Sequence, residues 1–420
     1  MKVHFVTFGC KANQYDTEKF RQELEARGAL VVDDVRQADT VVINTCTVTN
    51  QADVEARKAI RRARRDNPAV QIVVAGCSAA LYPSDYAAME AVVGVVRGHD
   101  PLELAALIAP QSPLLEHDEE PIGAVLLARD ERGTRGWMKI QDGCDRHCSF
   151  CATRLARGAS RSRLPADLVA EAIGLAQHHA EIVLTGIHIG HYGVDLNHGK
   201  QKDFSLSRLV ETLIAQVPNV RFRLGSVEAT EIDDHLIEIL ADTGRLVPHL
   251  HVPMQAGSDN VLRAMRRWHT REQYRRRVLE ISERLPYLGL GADVIVGFPG
   301  ESDDDHAQTR ALVDELPYTY LHVFPYSVRD NTVAAALPNH IPRQIATTRS
   351  SELRELALEK GLRYRRARAG QGAEIVVEAG GFGLTEDYLR VRLLGDPNSR
   401  LGQRLFTALA IENDELVAYV

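Results

Sequence analysis

The six cysteines of this 420-residue chain fall into two sets of three, and their placement restricts the fold. One set is the tight run Cys144-Asp145-Arg146-His147-Cys148-Ser149-Phe150-Cys151, spaced Cys-x3-Cys-x2-Cys. The other set, Cys10, Cys46 and Cys77, is scattered. Each of its members closely follows a short apolar run, at 3–8, 40–43 and 72–75. Helical stretches at 14–27, stopped by Gly28, and at 52–65 separate these runs. A βαβαβ order implies a parallel sheet. Ligands bind beyond the carboxyl ends of such strands, so the three scattered thiols can meet at one point.

Alternation resumes after 109–133, a stretch with Pro110, Pro113, Pro121 and the acidic run 116–120 that reads as a linker. Strands are expected at 137–141, 182–185, 220–224, 250–252, 292–296 and 321–324, with helices between them. Six such units predict an incomplete (β/α) barrel with functional groups at the strand ends. From about Gly370, glycine-rich turns separate β-rich runs at 373–377 and 388–394, which predicts a small β-barrel or sandwich. The expected division is 1–108, 109–133, 134–360 and 361–420, an α/β chain with an all-β terminal domain.

Composition narrows the function. The chain is 45% hydrophobic and 25% charged, with a net charge of −7. No stretch is long enough for a membrane span, and residues 1–9 read as a strand and not as a signal peptide. The cytoplasm is the expected location, where thiols stay reduced and free to bind metal. With this net charge, a nucleic-acid partner must be met by local basic patches. Candidates are Arg57–Arg65 and 360–368, together with Arg154, Arg157, Arg161 and Arg163 beside the tight cysteine run. Arg157 and Arg161 are the expected substrate contacts.

Three thiolates on one short loop suit a [4Fe–4S] cluster with one iron left open for chemistry. A structural zinc site is the alternative. It wants four ligands, and the fourth would have to be His147, inside the x3 gap. For Cys10, Cys46 and Cys77 the alternative is three unrelated buried thiols. The strand-end coincidence favours a second cluster, with Asn44 as a hydrogen bonder near Cys46.

The Cys-x3-Cys-x2-Cys loop after a barrel strand resembles the radical S-adenosylmethionine enzymes. In that superfamily the open iron binds S-adenosylmethionine, and one electron cleaves it to a 5′-deoxyadenosyl radical. Later strand ends resemble the cofactor-contacting segments of the superfamily: Thr185 and Gly186, Ser226 and Glu228, Gln255 and Ser258, and Ile295. The segments 9–16, 44–50 and 75–77 are similar to the amino-terminal domain of the methylthiotransferases. This likeness spans essentially the whole chain. It implies two [4Fe–4S] clusters, S-adenosylmethionine and a terminal TRAM domain that binds RNA. It further implies a low-potential electron donor such as flavodoxin or ferredoxin, and leaves the sulfur donor unknown.

Three branches of that family differ in substrate: isopentenyladenosine in tRNA, threonylcarbamoyladenosine in tRNA, or an aspartate of a ribosomal protein. Residues 9–16, 44–49, 185–188 and 322–327 resemble the threonylcarbamoyl branch. The resemblance implies insertion of a methylthio group at C2 of that adenosine in the anticodon loop. The sequence departs from the family pattern at His147 and at 152–155, and the terminal segment is acidic, which keeps the protein-substrate branch open. A non-catalytic metal-stabilised RNA-binding or electron-transfer protein is the alternative of a different class.

Overall fold

The β-branched runs become parallel strands. The computed structural model describes residues 1–109, 127, 133–197 and 203–420. The expected linker, apart from Ala109, Leu127 and Gly133, lies outside the described residues. The N-terminal sheet is parallel throughout, in the order Leu30–Val31, Lys2–Thr7, Thr40–Thr45, Gln71–Gly76, Val92–Val95. Its first and last strands were not expected from sequence. The central strand Thr40–Thr45 is buried along its whole length, as a parallel sheet covered on both faces requires. Val42 and Val73 pack with Phe20, Leu24 and Leu104 on one side. Val41, Ile43, Ile72 and Val74 pack with Ile60 and Tyr86 on the other. The helices Lys11–Ala26 and Asn50–Asp66 follow the first and second of the three strands that lead to a cysteine.

All six central strands expected from sequence are present and parallel. They form two three-stranded sheets. One holds Gly136–Lys139, Glu181–Thr185 and Arg221–Leu224; the other holds His249–His251, Gly289–Val296 and Tyr320–Pro325. Bridges between Phe222 and Leu246 and between Ser226 and His251 join the sheets. The result is an open six-stranded barrel whose strands follow chain order. Its core includes Met138, Leu184, Phe222, Leu250 and Val294.

The C-terminal residues form a curled six-stranded sheet with its own core of Ile375, Val377, Val391 and Leu416. The long helix Arg343–Arg368 leads into it. The turn around Asp387 closes the amino-terminal end of the barrel. Arg221 donates to the carbonyls of Glu374 at 2.7 Å and Leu384 at 3.2 Å, and Arg223 to those of Thr385 at 2.9 Å and Glu386 at 3.0 Å. Both arginines are fully buried and paired with Glu181. The opposite end, where the strands finish, is left for chemistry. Among the described residues no helix is long and apolar enough to cross a membrane.

Candidate functional site

Glycine precedes three of the six cysteines, and each of these glycines has a backbone conformation that side chains rarely adopt. Gly9 and Gly76 have φ +96°, and Gly143 has φ +70°. A Cβ on Gly9 would lie 2.5 Å from Cys46 Sγ. One on Gly76 would lie 2.3 Å from Asn44 Oδ1, and one on Gly143 only 1.9 Å from the Ala159 carbonyl. The chain therefore turns sharply off each strand, in space that only glycine leaves open.

Asn13 ties the N-terminal strand ends together. It is fully buried and donates to the carbonyls of Phe8 at 2.9 Å and Thr45 at 2.8 Å. Asn44, expected to bond near Cys46, donates instead to the Asn13 carbonyl at 2.8 Å and Thr17 Oγ1 at 3.0 Å. Its role is to hold the start of the first helix. Cys10 is the N-cap residue of that 16-residue helix.

Gln141 fixes the tight cysteine loop. Its amide donates to the Gly143 carbonyl at 2.7 Å, and its oxygen accepts from the His188 backbone at 2.8 Å. The loop is thereby held to the end of the second barrel strand. Ser149 N donates to the Met265 carbonyl at 2.9 Å.

All six cysteines line one cavity of about 310 Å³. None is in a disulfide. N–H donors already face several thiols. Val48 N is 3.5 Å from Cys46 Sγ, Arg146 N is 3.4 Å from Cys144 Sγ, and Arg267 Nη1 is 3.5 Å from Cys148 Sγ. Burial pushes the Cys77 thiol up to about 12, against the pull of Arg157, and the Cys144 thiol up to about 11. Metal binding must therefore expel these protons. A larger cavity of about 480 Å³ near Gln14, Trp137 and Glu378 contains no cysteine.

Of the residues expected at a cofactor, Gly186, Ser226, Glu228 and Gln255 line the six-cysteine cavity. Burial raises the Glu228 carboxyl, and its ion pair with Arg267 opposes this. Ile295 lines an adjoining cavity of about 180 Å³ that shares Val48, Phe150, Gln255 and Asp293 with the first. Thr185 is buried at the end of its strand. Ser258 points elsewhere, and its hydroxyl donates to Asp305.

Arg157, expected at the substrate, is enclosed in protein. Its nitrogens reach Asp142 at 2.8 Å, Asp16 at 2.8 Å, Asn13 Oδ1 at 2.6 Å, His99 at 3.0 Å and Cys77 Sγ at 3.2 Å. It joins the two cysteine sets and leaves nothing free for a phosphate. Arg161 is exposed and donates to the Arg157 carbonyl at 3.2 Å. His147 is exposed.

Sequence reasoning missed His188, whose Nδ1 is 3.4 Å from Cys144 Sγ and whose Nε2 is 2.9 Å from Glu231. It also missed Trp268, which has the Arg146 and Arg267 guanidinium carbons each 4.1 Å from its ring centre. The Thr-Gly-Ile-His stretch was a signal for the first. Arg267-Trp268 carried none, because it follows a helix and not a strand.

The donor chemistry fits two iron–sulfur clusters. Each set offers three thiols and no fourth cysteine, with N–H groups aimed at sulfur rather than a closed tetrahedron. A partial parallel barrel with three thiols just past its first strand is the scaffold of a radical S-adenosylmethionine enzyme. Residues 138–313 match the radical SAM superfamily, and residues 2–98 match the uncharacterized protein family UPF0004. Threonylcarbamoyladenosine tRNA methylthiotransferase MtaB of Bacillus subtilis is 36% identical over 94% of this chain and 90% of its own length. A tRNA-2-methylthio-N(6)-dimethylallyladenosine synthase of Novosphingobium aromaticivorans is 34% identical over 89% and 86%. The radical S-adenosylmethionine methyltransferase TsrM of Kitasatospora setae, solved with cobalamin and a [4Fe–4S] cluster, shares the fold. Its TM-score is 0.55 at 19% identity, over 80% of this chain and 74% of that one. The chain belongs to the radical S-adenosylmethionine methylthiotransferases. Enzymes of this family use S-adenosylmethionine and [4Fe–4S] clusters.

Proposed function

We propose that this protein inserts a methylthio group at C2 of N6-threonylcarbamoyladenosine, next to the anticodon of tRNA. The observation that carries the reading is the single cavity shared by all six cysteines. A sulfur atom held on one set can there meet a substrate activated at the other. The identity to the Bacillus subtilis relative, together with the segments at 9–16, 44–49, 185–188 and 322–327, supports this branch.

With clusters and S-adenosylmethionine bound, the site supplies hydrogen-atom abstraction and a methylated sulfur. The chain's own residues provide placement. Cys144, Cys148 and Cys151 hold the radical cluster. Cys10, Cys46 and Cys77 hold the other, with the Arg157 cation beside Cys77 to offset thiolate charge. Gly186, Ser226, Glu228 and Gln255 offer polar groups to the cofactor at the strand ends. An unpaired anticodon-loop base is the accessible kind of RNA target. The curled terminal sheet is assigned as a TRAM-like RNA-binding domain, a flavodoxin or ferredoxin as electron donor, and the cytoplasm as the location.

The test is nucleoside mass spectrometry after anaerobic reconstitution. Protein is incubated with tRNA carrying threonylcarbamoyladenosine, with tRNA carrying isopentenyladenosine, and with ribosomal protein. A methylthio mass gain on the first substrate alone is expected. Gain on the second alone moves the protein to the isopentenyl branch, which the Novosphingobium relative favours. Gain only on ribosomal protein, or no S-adenosylmethionine cleavage at all, overturns the tRNA reading.

A further inference from the structure

The last barrel strand, Tyr320–Pro325, runs into a short segment that touches both cysteine loops. Arg329 on this segment is 2% exposed. Its guanidinium divides among three groups that all follow Cys46 closely. Nη2 reaches Thr47 Oγ1 at 2.6 Å and Asp53 Oδ2 at 2.6 Å, and Nη1 donates to Asn50 Oδ1. Asn50 answers by donating its amide to the Val328 carbonyl at 2.8 Å and its backbone N–H to Ser327 Oγ at 3.2 Å. At the other end of the segment, Ala334 N donates to the Ser149 carbonyl at 2.8 Å, between Cys148 and Cys151. Between these anchors Thr332 Oγ1 donates to the Arg329 carbonyl at 2.7 Å, and the short helix Val333–Ala336 begins. The segment is therefore a braced strap with one cysteine loop at each end.

We infer that Arg329 is a positioning residue that sets the separation and orientation of the two three-cysteine sites. A plain ion pair with Asp53 would need one nitrogen. Splitting the fork over Thr47, Asn50 and Asp53 fixes the direction in which the chain leaves Cys46. The proposal rests on the sulfur-transfer reading above, in which a group on one site must reach a substrate held at the other. Misplacing reacting groups by about 1 Å costs roughly 100-fold in rate, so a strap that holds both loops acts on coupling more than on either site alone.

The experiment compares wild type with Arg329→Ala, Arg329→Lys and Asn50→Ala in the full chain. In cluster-free protein, N-ethylmaleimide labelling is followed at each cysteine by mass spectrometry. Cys46 is 3% exposed in the native arrangement. Arg329→Ala is expected to speed labelling of Cys46 by about tenfold, as a local opening would, and to leave Cys77 at its wild-type rate. Asn50→Ala, which keeps the Asp53 pair, shifts Cys46 in the same direction by less. Arg329→Lys falls between Arg329→Ala and wild type. In reconstituted protein, iron content and S-adenosylmethionine cleavage are expected to stay near wild type, while methylthio product per cleavage falls about tenfold. Unchanged Cys46 labelling in Arg329→Lys and Asn50→Ala overturns the proposal, whether or not Arg329→Ala folds. So does product loss that merely tracks lost iron. If wild type makes no methylthio product, the function reading fails, and the labelling result still decides the role of Arg329.

Discussion

The Nε of Arg157 lies 3.2 Å from the Sγ of Cys77, although 80 positions separate the two residues. One guanidinium just past the tight cysteine loop thus touches the last cysteine of the scattered set. Its other nitrogens bind the carboxylates of Asp16 and Asp142. Burial opposes the ionised form of Asp142, but Lys139 and Arg157 overcome it and hold that carboxyl far below its usual range. Removing the cation leaves Lys139 as the remaining charged partner of both acids, and the buried charge-assisted hydrogen bonds it takes away are worth about 2–3 kcal/mol. Arg157→Met is expected to lose that much stability in urea unfolding of the metal-free protein. Arg157→Lys is expected to lose less, since it keeps a charge but not the fork. A loss under about 1 kcal/mol, the size of an exposed pair, would mean that the network does not hold the domains together.

The two cysteine sets and both strand series were legible because their signals are local. A β-branched run, a glycine and a cysteine occupy adjacent positions, so the pattern is read along the chain. The role of Arg157 was not legible in the same way. Its sequence neighbourhood, with Arg154, Arg161 and Arg163, reads as a basic surface. Only the folded chain brings Asn13, Asp16 and His99 around it. Trp268 shares that difficulty, since its partner Arg146 comes from the tight cysteine loop. Leu30–Val31 and Val92–Val95 were missed for another reason: they are the partly exposed edge strands of the sheet, and neither leads into a cysteine.

Gly76 offers a sharper test of convergence than the cysteines do. At φ +96°, a Cβ there meets Asn44 Oδ1 at 2.3 Å and the Thr45 carbonyl at 2.4 Å. The carbonyl belongs to the central strand of the sheet, so Gly76 and Cys77 must move instead. Gly76→Ala keeps all six thiols yet is expected to lose the second site. Iron should fall from about eight to about four per chain after reconstitution. Full iron loading in this variant would show that Cys77 is not needed where it stands.

Glu181 gives the protein a predictable response to acid. The carboxyl is fully buried. Burial would raise it, but Arg223 and Arg221 hold it well below the ordinary 4.5. A folded value below the unfolded one means that the unfolded chain binds more protons as pH falls. The contribution is therefore present above about 4.5 and lost as pH drops further. Glu181→Gln should be less stable than wild type at pH 7 by about 3–5 kcal/mol, the cost of breaking a buried pair. The gap should narrow as pH falls below 4.5. Urea midpoints across that range decide it, and a gap that stays constant would mean that the pair is not what the acid removes.

Two triple variants separate the sites by chemistry where iron counting cannot. Replacing Cys10, Cys46 and Cys77 with alanine, or Cys144, Cys148 and Cys151 with alanine, should each take iron from about eight to about four per chain. The remaining cluster differs. Without the scattered set, an iron open to S-adenosylmethionine remains, so reductive cleavage should continue and methylthio product should vanish. Without the tight set, cleavage and product should both vanish, although the same amount of iron is bound. Chromatography of 5′-deoxyadenosine beside nucleoside mass spectrometry reads both outcomes. Cleavage that survives loss of Cys144, Cys148 and Cys151 would place the radical chemistry at the other set. Product that survives loss of Cys10, Cys46 and Cys77 would remove any sulfur-holding role from them.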